Sequence, residues 1–346
     1  MRKQNNNNIE YISYLSVISA IAVIILHTNG VFWSFSKARL WITANIIECV
    51  FYFAVPIFFM ITGITLLDYR NRYDTKSYFK KRITKTVIPF IIWSLISIAY
   101  RLIVGTTNIN DLSLINIING IISTKYLSIY WFFIPLFQIY LCIPFLSIID
   151  KKNRNNIYIY IISTFLILNT IIPFLNNVFN IGLTTPLSFT IVTQYLIYVL
   201  LGYLLNNHNI SKKKETIIYI LGIIGLLMHI IGTQYLSYKA NSIITTYKGY
   251  CNVPCILYSI AIFTFVKNRL YIIKNKITAK IINILKKYTF SLYLMHWFII
   301  DISIRLFNLN NHSIIFRLGF PFIIIPICVG ITYIIRKIPI LKRIVP

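Results

Sequence analysis

Acidic side chains are scarce in this sequence, and charged residues of either sign are few. Asp and Glu number 8 among 346 residues, Lys and Arg number 34, and charged residues make up 12% of the chain. A soluble domain normally carries about 25% charged residues. The chain is 57% hydrophobic with a mean hydropathy of +0.72. This composition excludes an ordinary soluble fold and indicates a helical membrane protein.

Several motifs of soluble enzymes and metalloproteins are missing. The sequence contains no G-x-S-x-G elbow, no H-E-x-x-H zinc motif and no P-loop. The five cysteines show neither metal-ligand spacing nor a disulfide framework, so we expect buried free thiols and no bound metal. No internal repeat is visible, which weakens a transporter built from inverted halves. No soluble module carries an aromatic–basic stripe, which disfavours nucleic acid binding.

Apolar segments of about 20 residues, each long enough to cross the hydrocarbon of a membrane, follow one another along the chain. They predict an all-α polytopic membrane protein of about ten transmembrane helices, forming one domain over residues 1–346 with a disordered tail at 1–8. The first segment follows Arg2 and Lys3 but has no small-x-small cleavage site, so we expect a retained helix. The predicted spans are 11–33, 40–67, 86–104, 127–149, 157–175, 187–205, 216–236, 249–266, 288–304 and 318–335.

Basic residues fall almost entirely between the apolar segments. With the N-terminus inside, the cytoplasmic segments hold 26 Lys and Arg and the outer loops hold 7, while Arg101 lies within the third span. Such an excess on one side follows the positive-inside rule and predicts both termini in the cytoplasm. The net charge of +26 therefore indicates orientation, together with contact to anionic lipid headgroups, rather than a nucleic acid partner.

Ionisable side chains within the spans are costly and usually functional. Of the six in this sequence, His296 lies near the midplane, and the rise of about 1.5 Å per helical residue places the other five in the outer half of the membrane. This distribution predicts a polar cavity that opens outward, with His27 as its central residue. The five outer residues are His27, Glu48, Arg101, His229 and Asp301.

Structural interpretations of these residues stay open beside the functional ones. His27 is also compatible with hydrogen-bonded packing. Glu48 and Arg101 are compatible with an ion pair between the second and third spans, and Arg101 with a side chain that reaches the interface. His296 and Asp301 fit an H-x4-D pattern by letter. Positions i and i+5 of a helix point about 140° apart, so we do not expect these two side chains to converge.

Five segments spread over nearly the whole chain stand out by their residues. They are the opening run Ile12–His27, Ala54–Gly63 with the letters AVPIFFMITG, Phe79–Pro89 with Trp93 and Ser94, Tyr130–Tyr140 with Pro144, and Ser291–His296. In content and order they resemble the membrane-bound acyltransferase 3 family, in its small form, which lacks a soluble appendage and is similar to the enterobacterial common antigen O-acetyltransferase. The opening run ends in the family's histidine, and AVPIFFMITG is close to the family's V-P-x-F-F-M-x-S-G.

The resemblance implies an enzyme of the bacterial cytoplasmic membrane that moves an acyl group, usually acetyl from acetyl-CoA. The acceptor would be a hydroxyl of a cell-envelope glycan or a lipid-linked sugar. His27 takes the position of the family's catalytic histidine, as a general base or an acyl relay. The basic segment of the family is matched by Lys81, Arg82 and Lys85, which suit CoA phosphates or serve only as a positive-inside anchor.

The remaining site residues are assigned by hypothesis from their place in the spans. Glu48 would orient the His27 imidazole, and Arg101 would stabilise the developing oxyanion. An acyl group that starts in the cytoplasm must reach a histidine in the outer half, which calls for a cavity through the bundle or a relay. We expect the substrates to contact His296, Asp301, Tyr130 and Trp131.

Three positions depart from the family pattern. By alignment, Ser13 and Ser16 take the places of an acidic residue and an arginine on the first helix, and Tyr52 takes that of an arginine before the V-P-x-F-F stretch. The departures keep two other functions open: a transporter of a glycan precursor or small solute, and a non-catalytic membrane partner in polysaccharide assembly. A third alternative is another multispan O-acyltransferase family, against which the AVPIFFMITG segment argues.

Overall fold

The computed structural model describes residues 2–183, 188–189 and 191–346, without the side chains of residues 2–9 and 271. A disordered tail is expected at residues 1–8. Met1 and the side chains of residues 2–8 lie outside what the structure describes, so the tail stays a prediction. Within the described ranges the chain is helical and contains no strand. In chain order, α1 to α17 are Arg2–Thr28, Arg39–Phe51, Ala54–Leu66, Thr75–Arg82, Ile88–Ile103, Leu114–Ile122, Phe133–Ile148, Lys151–Phe165, Ile172–Phe179, Leu196–Asn207, Lys212–Ala240, Val253–Asn268, Leu270–Ile273, Lys276–Leu285, Thr289–Phe307, Ile314–Gly319 and Pro321–Lys337.

The long apolar helices confirm an all-α, multi-pass membrane protein. In the described part of the chain, seven helical stretches are long and apolar enough to cross a membrane, and α10 and α12 are shorter apolar helices. The α17 helix falls on the tenth predicted span. The count of ten spans and the orientation of the termini stay predictions. The seven stretches are Glu10–Thr28, Arg39–Asn71, Thr75–Ile103, Ser128–Ile148, Lys151–Phe179, Lys212–Ala240 and Thr289–Phe307.

The α1 helix lies at the centre of the bundle. No Asp, Glu, Lys or Arg interrupts the run from Tyr11 to Trp33, and most side chains from Tyr11 to Leu26 are buried. A helix that is apolar on every face belongs in the core of a membrane bundle, which is where α1 lies. The helices that pack against it are α2, α3, α12, α14, α15, α16 and α17.

The α3 and α10 helices cross with their backbones in direct contact. A Cβ atom on Gly63 would clash with the backbone of Val199, and one on Gly202 would clash with the backbone of Met60. Inside a membrane no hydrophobic effect drives helices together, so small residues that permit close approach favour their association. The crossing fixes the position of α3. This helix directly follows α2, which carries Glu48.

The surface of the bundle is apolar where lipid would contact it. Along α11, large aliphatic side chains are exposed at almost every turn, and α8 and α17 expose others of the same kind. Such a surface is unsuited to water and matches the hydrocarbon of a bilayer. The exposed aliphatic residues of α11 are Ile217, Ile220, Leu221, Ile223, Ile224, Leu227 and Ile231.

Candidate active site

A cavity of about 230 Å³, here called the histidine cavity, lies beside the C-terminal end of α1. Apart from His27 and Glu48, its lining residues are aliphatic or aromatic, and three of the aromatic residues are tyrosines. A concave site in which few polar groups lie among aromatic rings is typical of ligand-binding and active sites. The aromatic lining residues are Trp33, Tyr52, Trp131, Phe132, Tyr250 and Tyr293.

Two imidazoles meet at the histidine cavity. The ring centroids of His27 on α1 and His296 on α15 are 5.0 Å apart. Nδ1 of His296 lies 2.8 Å from the carbonyl oxygen of Leu292. A carbonyl only accepts hydrogen bonds, so Nδ1 carries the proton and Nε2 is left with a basic lone pair. This Nε2 is buried without a hydrogen-bond partner among the described residues, which suits it to proton transfer.

Two tyrosines fasten α15 to the segment 128–132. Oη of Tyr130 donates to the carbonyl of Leu294 at 2.8 Å, and Oη of Tyr293 donates to the carbonyl of Ile129. These bonds fix the rotation of α15 and so hold His296 beside His27. Tyr130 is buried and does not line the histidine cavity, so the expected substrate contact from Tyr130 is corrected to a structural role. Trp131, the next residue, does line it.

Glu48 pairs with Lys248, which falls between the seventh and eighth predicted spans. Nζ of Lys248 lies 3.2 Å from Oε1 of Glu48, and both side chains are buried. The second carboxylate oxygen, Oε2, has no hydrogen-bond partner within the described residues. In the sequence, Lys248 lies between Tyr247 and Gly249 directly before the eighth predicted span, and this closeness to an apolar segment is the signal that could have indicated its burial.

The ion pair between Glu48 and Arg101, one of the interpretations left open by the sequence, does not form. Nε of Arg101 donates to the carbonyl of Tyr126 at 2.6 Å, and Arg101 is not among the residues that line the histidine cavity. It lies in the last turn of α5, where it holds the segment that follows α6. Lys248 pairs with Glu48 instead, so the structure does not bring Arg101 to the other two expected catalytic residues. Its part in stabilising an oxyanion stays a prediction.

Asp301 also lies apart from the imidazoles. Its Oδ2 accepts hydrogen bonds from Oη of Tyr100 at 2.5 Å and from Nε of Arg305 at 2.7 Å. The helical rotation between positions i and i+5 carries Asp301 to a different face of α15 from His296, as the spacing predicts. The expected substrate contact from Asp301 is therefore corrected to a link between α15 and α5.

A second cavity of about 190 Å³, here called the inner cavity, shares Phe132 and Tyr293 with the histidine cavity. Ser16 lines it, eleven residues before His27. Eleven residues make about three helical turns, so the two side chains lie on the same face of α1, about 16 Å apart along its axis. The two cavities therefore follow one another along α1, separated by two aromatic side chains.

The basic segment is divided between different surroundings. The guanidinium of Arg82 lies 5.6 Å from the ring centroid of Tyr140, which lines the inner cavity, and its Nε is buried without a partner among the described residues. Lys81 lies 3.7 Å over the ring of Tyr73, and Lys85 lines a separate groove. The three side chains have different surroundings, since the wide π-helical turn at 83–87 rotates Lys85 away from Arg82. Their contact with CoA phosphates stays a prediction.

The helix that carries Arg82 begins at a defined cap. The side chain of Asp74 accepts a hydrogen bond from the backbone N–H of Ser77 at 3.1 Å, which satisfies one free donor in the first turn of α4. Hydrogen bonds from the side chain and backbone of Ser77 lower the pKa of Asp74. The cap therefore stays charged near neutral pH and fixes where α4 starts.

The family profile of acyltransferase 3, described as an acyltransferase domain, matches residues 9–336, which is nearly the whole chain. The chain belongs to the acyltransferase 3 family. It is therefore a membrane-bound enzyme that transfers acyl groups other than aminoacyl groups. No curated protein and no solved structure matches the chain. Within the described residues, no group of three or more His, Cys, Asp or Glu is arranged to hold a metal ion.

Two of the three positions that the sequence comparison expects to depart from the family pattern, Ser16 and Tyr52, line the two cavities of this acyltransferase 3 protein. Ser16 is a small residue on the wall of the inner cavity, and its Oγ donates to Oγ1 of Thr289 at 3.4 Å. Tyr52 stacks on Tyr250 with a centroid distance of 4.1 Å, and the Lys248 ammonium lies 3.8 Å from the Tyr52 ring. A cation thus stands beside the position at which the resemblance implies an arginine.

The groove that contains Lys85 is formed with the end of the acyltransferase chain. Nε of Arg336 donates to the carbonyl of Val345 at 3.0 Å, and Nε1 of Trp93 donates to that of Ile344 at 2.9 Å. These bonds fold the last residues against α5 and leave a groove of about 820 Å³ whose lining contains no Asp or Glu. Its basic residues are Lys80, Lys85, Arg336, Lys342 and Arg343.

Proposed function

We propose that this enzyme moves an acetyl or other short acyl group from acyl-CoA to a hydroxyl of a cell-envelope glycan or lipid-linked sugar in the bacterial cytoplasmic membrane. One observation carries the proposal: His27 and Glu48 line the histidine cavity, His296 lies directly behind His27, and this cavity shares its wall with an inner cavity beside Arg82. A donor from the predicted cytoplasmic side and an acceptor from the outside would meet between them.

The basic groove supports a donor that carries phosphates. Five Lys and Arg side chains line it without a carboxylate from Asp or Glu, and charged hydrogen bonds to phosphate are strong. The groove lies between residues 80–88 and residues 336–346, and Arg82, within the first of these segments, adjoins the inner cavity. The nucleotide of acyl-CoA would bind in the groove, and its acyl end would extend into the inner cavity.

The histidine cavity supports a sugar as the acceptor. Its aromatic rings offer flat faces for the C–H groups of a pyranose, and the free oxygen of Glu48 accepts a hydrogen bond from a hydroxyl. The rings would give a bound sugar a large contact area, and the few fixed polar groups would set its orientation. The acceptor would thus present one hydroxyl to His27.

The proposed reaction moves the acyl group in one step from the thioester sulfur of acyl-CoA to the oxygen of the acceptor hydroxyl. The acceptor hydroxyl attacks the thioester carbonyl, so a C–O bond forms and the C–S bond breaks. His27 takes the hydroxyl proton as general base and returns it to the leaving thiolate, which gives an ester and free CoA thiol. His296 positions the His27 ring, and its basic Nε2 is a second group that can accept the proton. General-base catalysis contributes about 10²–10⁴ in rate.

The test compares the O-acetyl content of purified envelope glycan, by NMR, from four otherwise identical bacterial strains. They carry wild-type protein, His27→Ala, the matched control His312→Ala or no protein. His312 is exposed and lies outside both cavities. We expect acetyl signals with wild type and His312→Ala only. An unchanged signal in all four strains, with equal expression of the three proteins, would contradict O-acetylation and favour transport or a non-catalytic role.

A further inference from the structure

Lys248 is enclosed by aromatic rings in the wall of the histidine cavity. Its Nζ lies 3.8 Å from the centroid of the Tyr52 ring, 4.8 Å from that of Trp33 and 4.9 Å from that of Phe32. The side chain has no solvent exposure. Aromatic faces attract a cation, and more strongly where water is excluded. The ammonium is held in one place, and its burial is costly unless an anion compensates it.

The compensating anion is Glu48. Its Oε1 lies 3.2 Å from the ammonium, the side chain of Asn29 also approaches the carboxylate, and Oε2 makes no close hydrogen bond in the described part of the chain. Buried polar atoms are normally hydrogen-bonded, so an unpaired carboxylate oxygen calls for an explanation. Glu48 also lines the cavity that contains His27. The free oxygen is therefore available to a ligand that enters this cavity.

The segment that carries Lys248 is fixed to the bundle. The carbonyl of Tyr250 accepts a hydrogen bond from Oη of Tyr198 on α10, and the carbonyl of Cys251 accepts one from Oγ1 of Thr170 at 3.1 Å. The ring of Tyr250 also stacks on Tyr52. The position of the ammonium is thus set by the packing of its segment on α2 and α10, and not by a flexible surface side chain.

We propose that Lys248 is a positioning residue of the acyl-transfer site, which keeps Glu48 ionised and turns Oε2 toward the acceptor hydroxyl. This inference rests on the proposed function. Glu48 accepts a hydrogen bond from the hydroxyl and forms no covalent bond. The hydroxyl proton passes to His27, and the oxygen is aimed at the acyl carbon. Without the lysine, the buried carboxylate would gain a proton or turn away, and the acceptor would lose its orientation.

The experiment measures acyl transfer from acetyl-CoA and thermal stability for four variants beside wild type. Lys248→Met removes the cation, Glu48→Gln removes the anion, and the double variant removes both charges while keeping the volumes. Lys239→Met is the matched control, since Lys239 is the other lysine of the same outer region and is exposed. Unfolding is followed by a fluorogenic thiol reagent, because all five cysteines are buried in the folded protein.

We expect Lys248→Met to lower kcat by about 10²-fold without changing KM for acetyl-CoA, the loss typical of a misoriented reactant. The melting temperature should fall in Lys248→Met and recover in the double variant, because no single charge is left buried. The kcat of the double variant should stay low, and Lys239→Met should match wild type in both measurements.

Two results would overturn the inference alone. One is a double variant that recovers kcat together with stability, which would make the pair a structural staple. The other is a Lys248→Met protein with the wild-type kcat. A wild-type protein that transfers no acyl group would instead overturn the proposed function, and the inference with it.

Discussion

His27 and His296 face each other across a centroid distance of 5.0 Å, one from the first helix of the bundle and the other from α15. The carbonyl of Leu292 fixes the proton of His296 on Nδ1, so the nitrogen left free is the basic one. The pair is more informative than either residue alone. A lone buried histidine is often a packing residue, whereas two imidazoles beside one cavity, one with a basic nitrogen left without a partner among the described residues, have the arrangement that the proposed proton transfer requires.

The first prediction concerns the second histidine. His296→Phe keeps the volume of the ring and removes its basic nitrogen, so we expect kcat to fall at least about 10²-fold. His27→Ala should be more severe, because His27 lines the cavity. The measurement is the release of CoA thiol by purified protein in the presence of acceptor. Wild-type kcat in folded His296→Phe would show that His296 only packs against His27.

The second prediction concerns the passage along α1. Ser16→Leu would fill part of the inner cavity, so we expect acyl transfer to fall and the loss to grow with the length of the acyl chain. The matched control is Ser163→Leu on α8, which places the same side chain on an exposed face. Acyl-CoA donors of two, four and six carbons would be compared. Equal losses for all three donors, or an equal loss in the control, would argue against passage through this cavity.

The third prediction concerns the basic groove. Replacing Lys342 and Arg343 by glutamine removes two of its cations, and each lost charged hydrogen bond costs about 1.5–3 kcal/mol, or roughly tenfold or more in affinity. We expect KM for acetyl-CoA to rise and KM for S-acetyl-pantetheine, which has no nucleotide, to stay the same. The paired control replaces the exposed Lys151 and Lys152. Equal changes in KM for the two donors would contradict binding of the nucleotide in this groove.

The fourth prediction concerns the fold. Gly63→Ala would press a methyl group into the backbone of Val199, and overpacking of this kind costs about 1–3 kcal/mol. Gly330→Ala is the control, because no atom lies within 4 Å of a Cβ at that helical position. We expect a lower melting temperature for Gly63→Ala and an unchanged or higher one for Gly330→Ala. Equal melting temperatures would mean that α3 and α10 separate without cost.

Much of the fold is predictable because a membrane-spanning helix requires a run of apolar residues that are neighbours in the sequence. The apolar length of each span, the uncharged run around His27 and the AVPIFFMITG segment all follow from residues close together in the chain. Likewise, the divergence of His296 and Asp301 follows from helical rotation alone. These statements need no knowledge of which helices are neighbours.

The site was less predictable because its pairs join distant parts of the chain. Depth along a helix places Glu48 and Arg101 at similar levels, but it does not tell which face each presents or what lies opposite. The sequence alone indicates that Lys248 is a loop charge, whereas in the fold its ammonium lies over the ring of Tyr52. Lys85 reads as a neighbour of Arg82 until a π-helical turn separates them. In each case tertiary contacts decided what the local pattern left open.

The most direct test of the account supplies acetyl-CoA, labelled in its acetyl group, to inverted membrane vesicles, whose cytoplasmic face is outward. Vesicles with wild-type protein, His27→Ala or no protein would be compared at matched protein amounts. The account predicts label in the glycan or lipid-linked sugar fraction with wild type only. Equal label in the wild-type and His27→Ala vesicles would contradict acyl transfer at the histidine cavity.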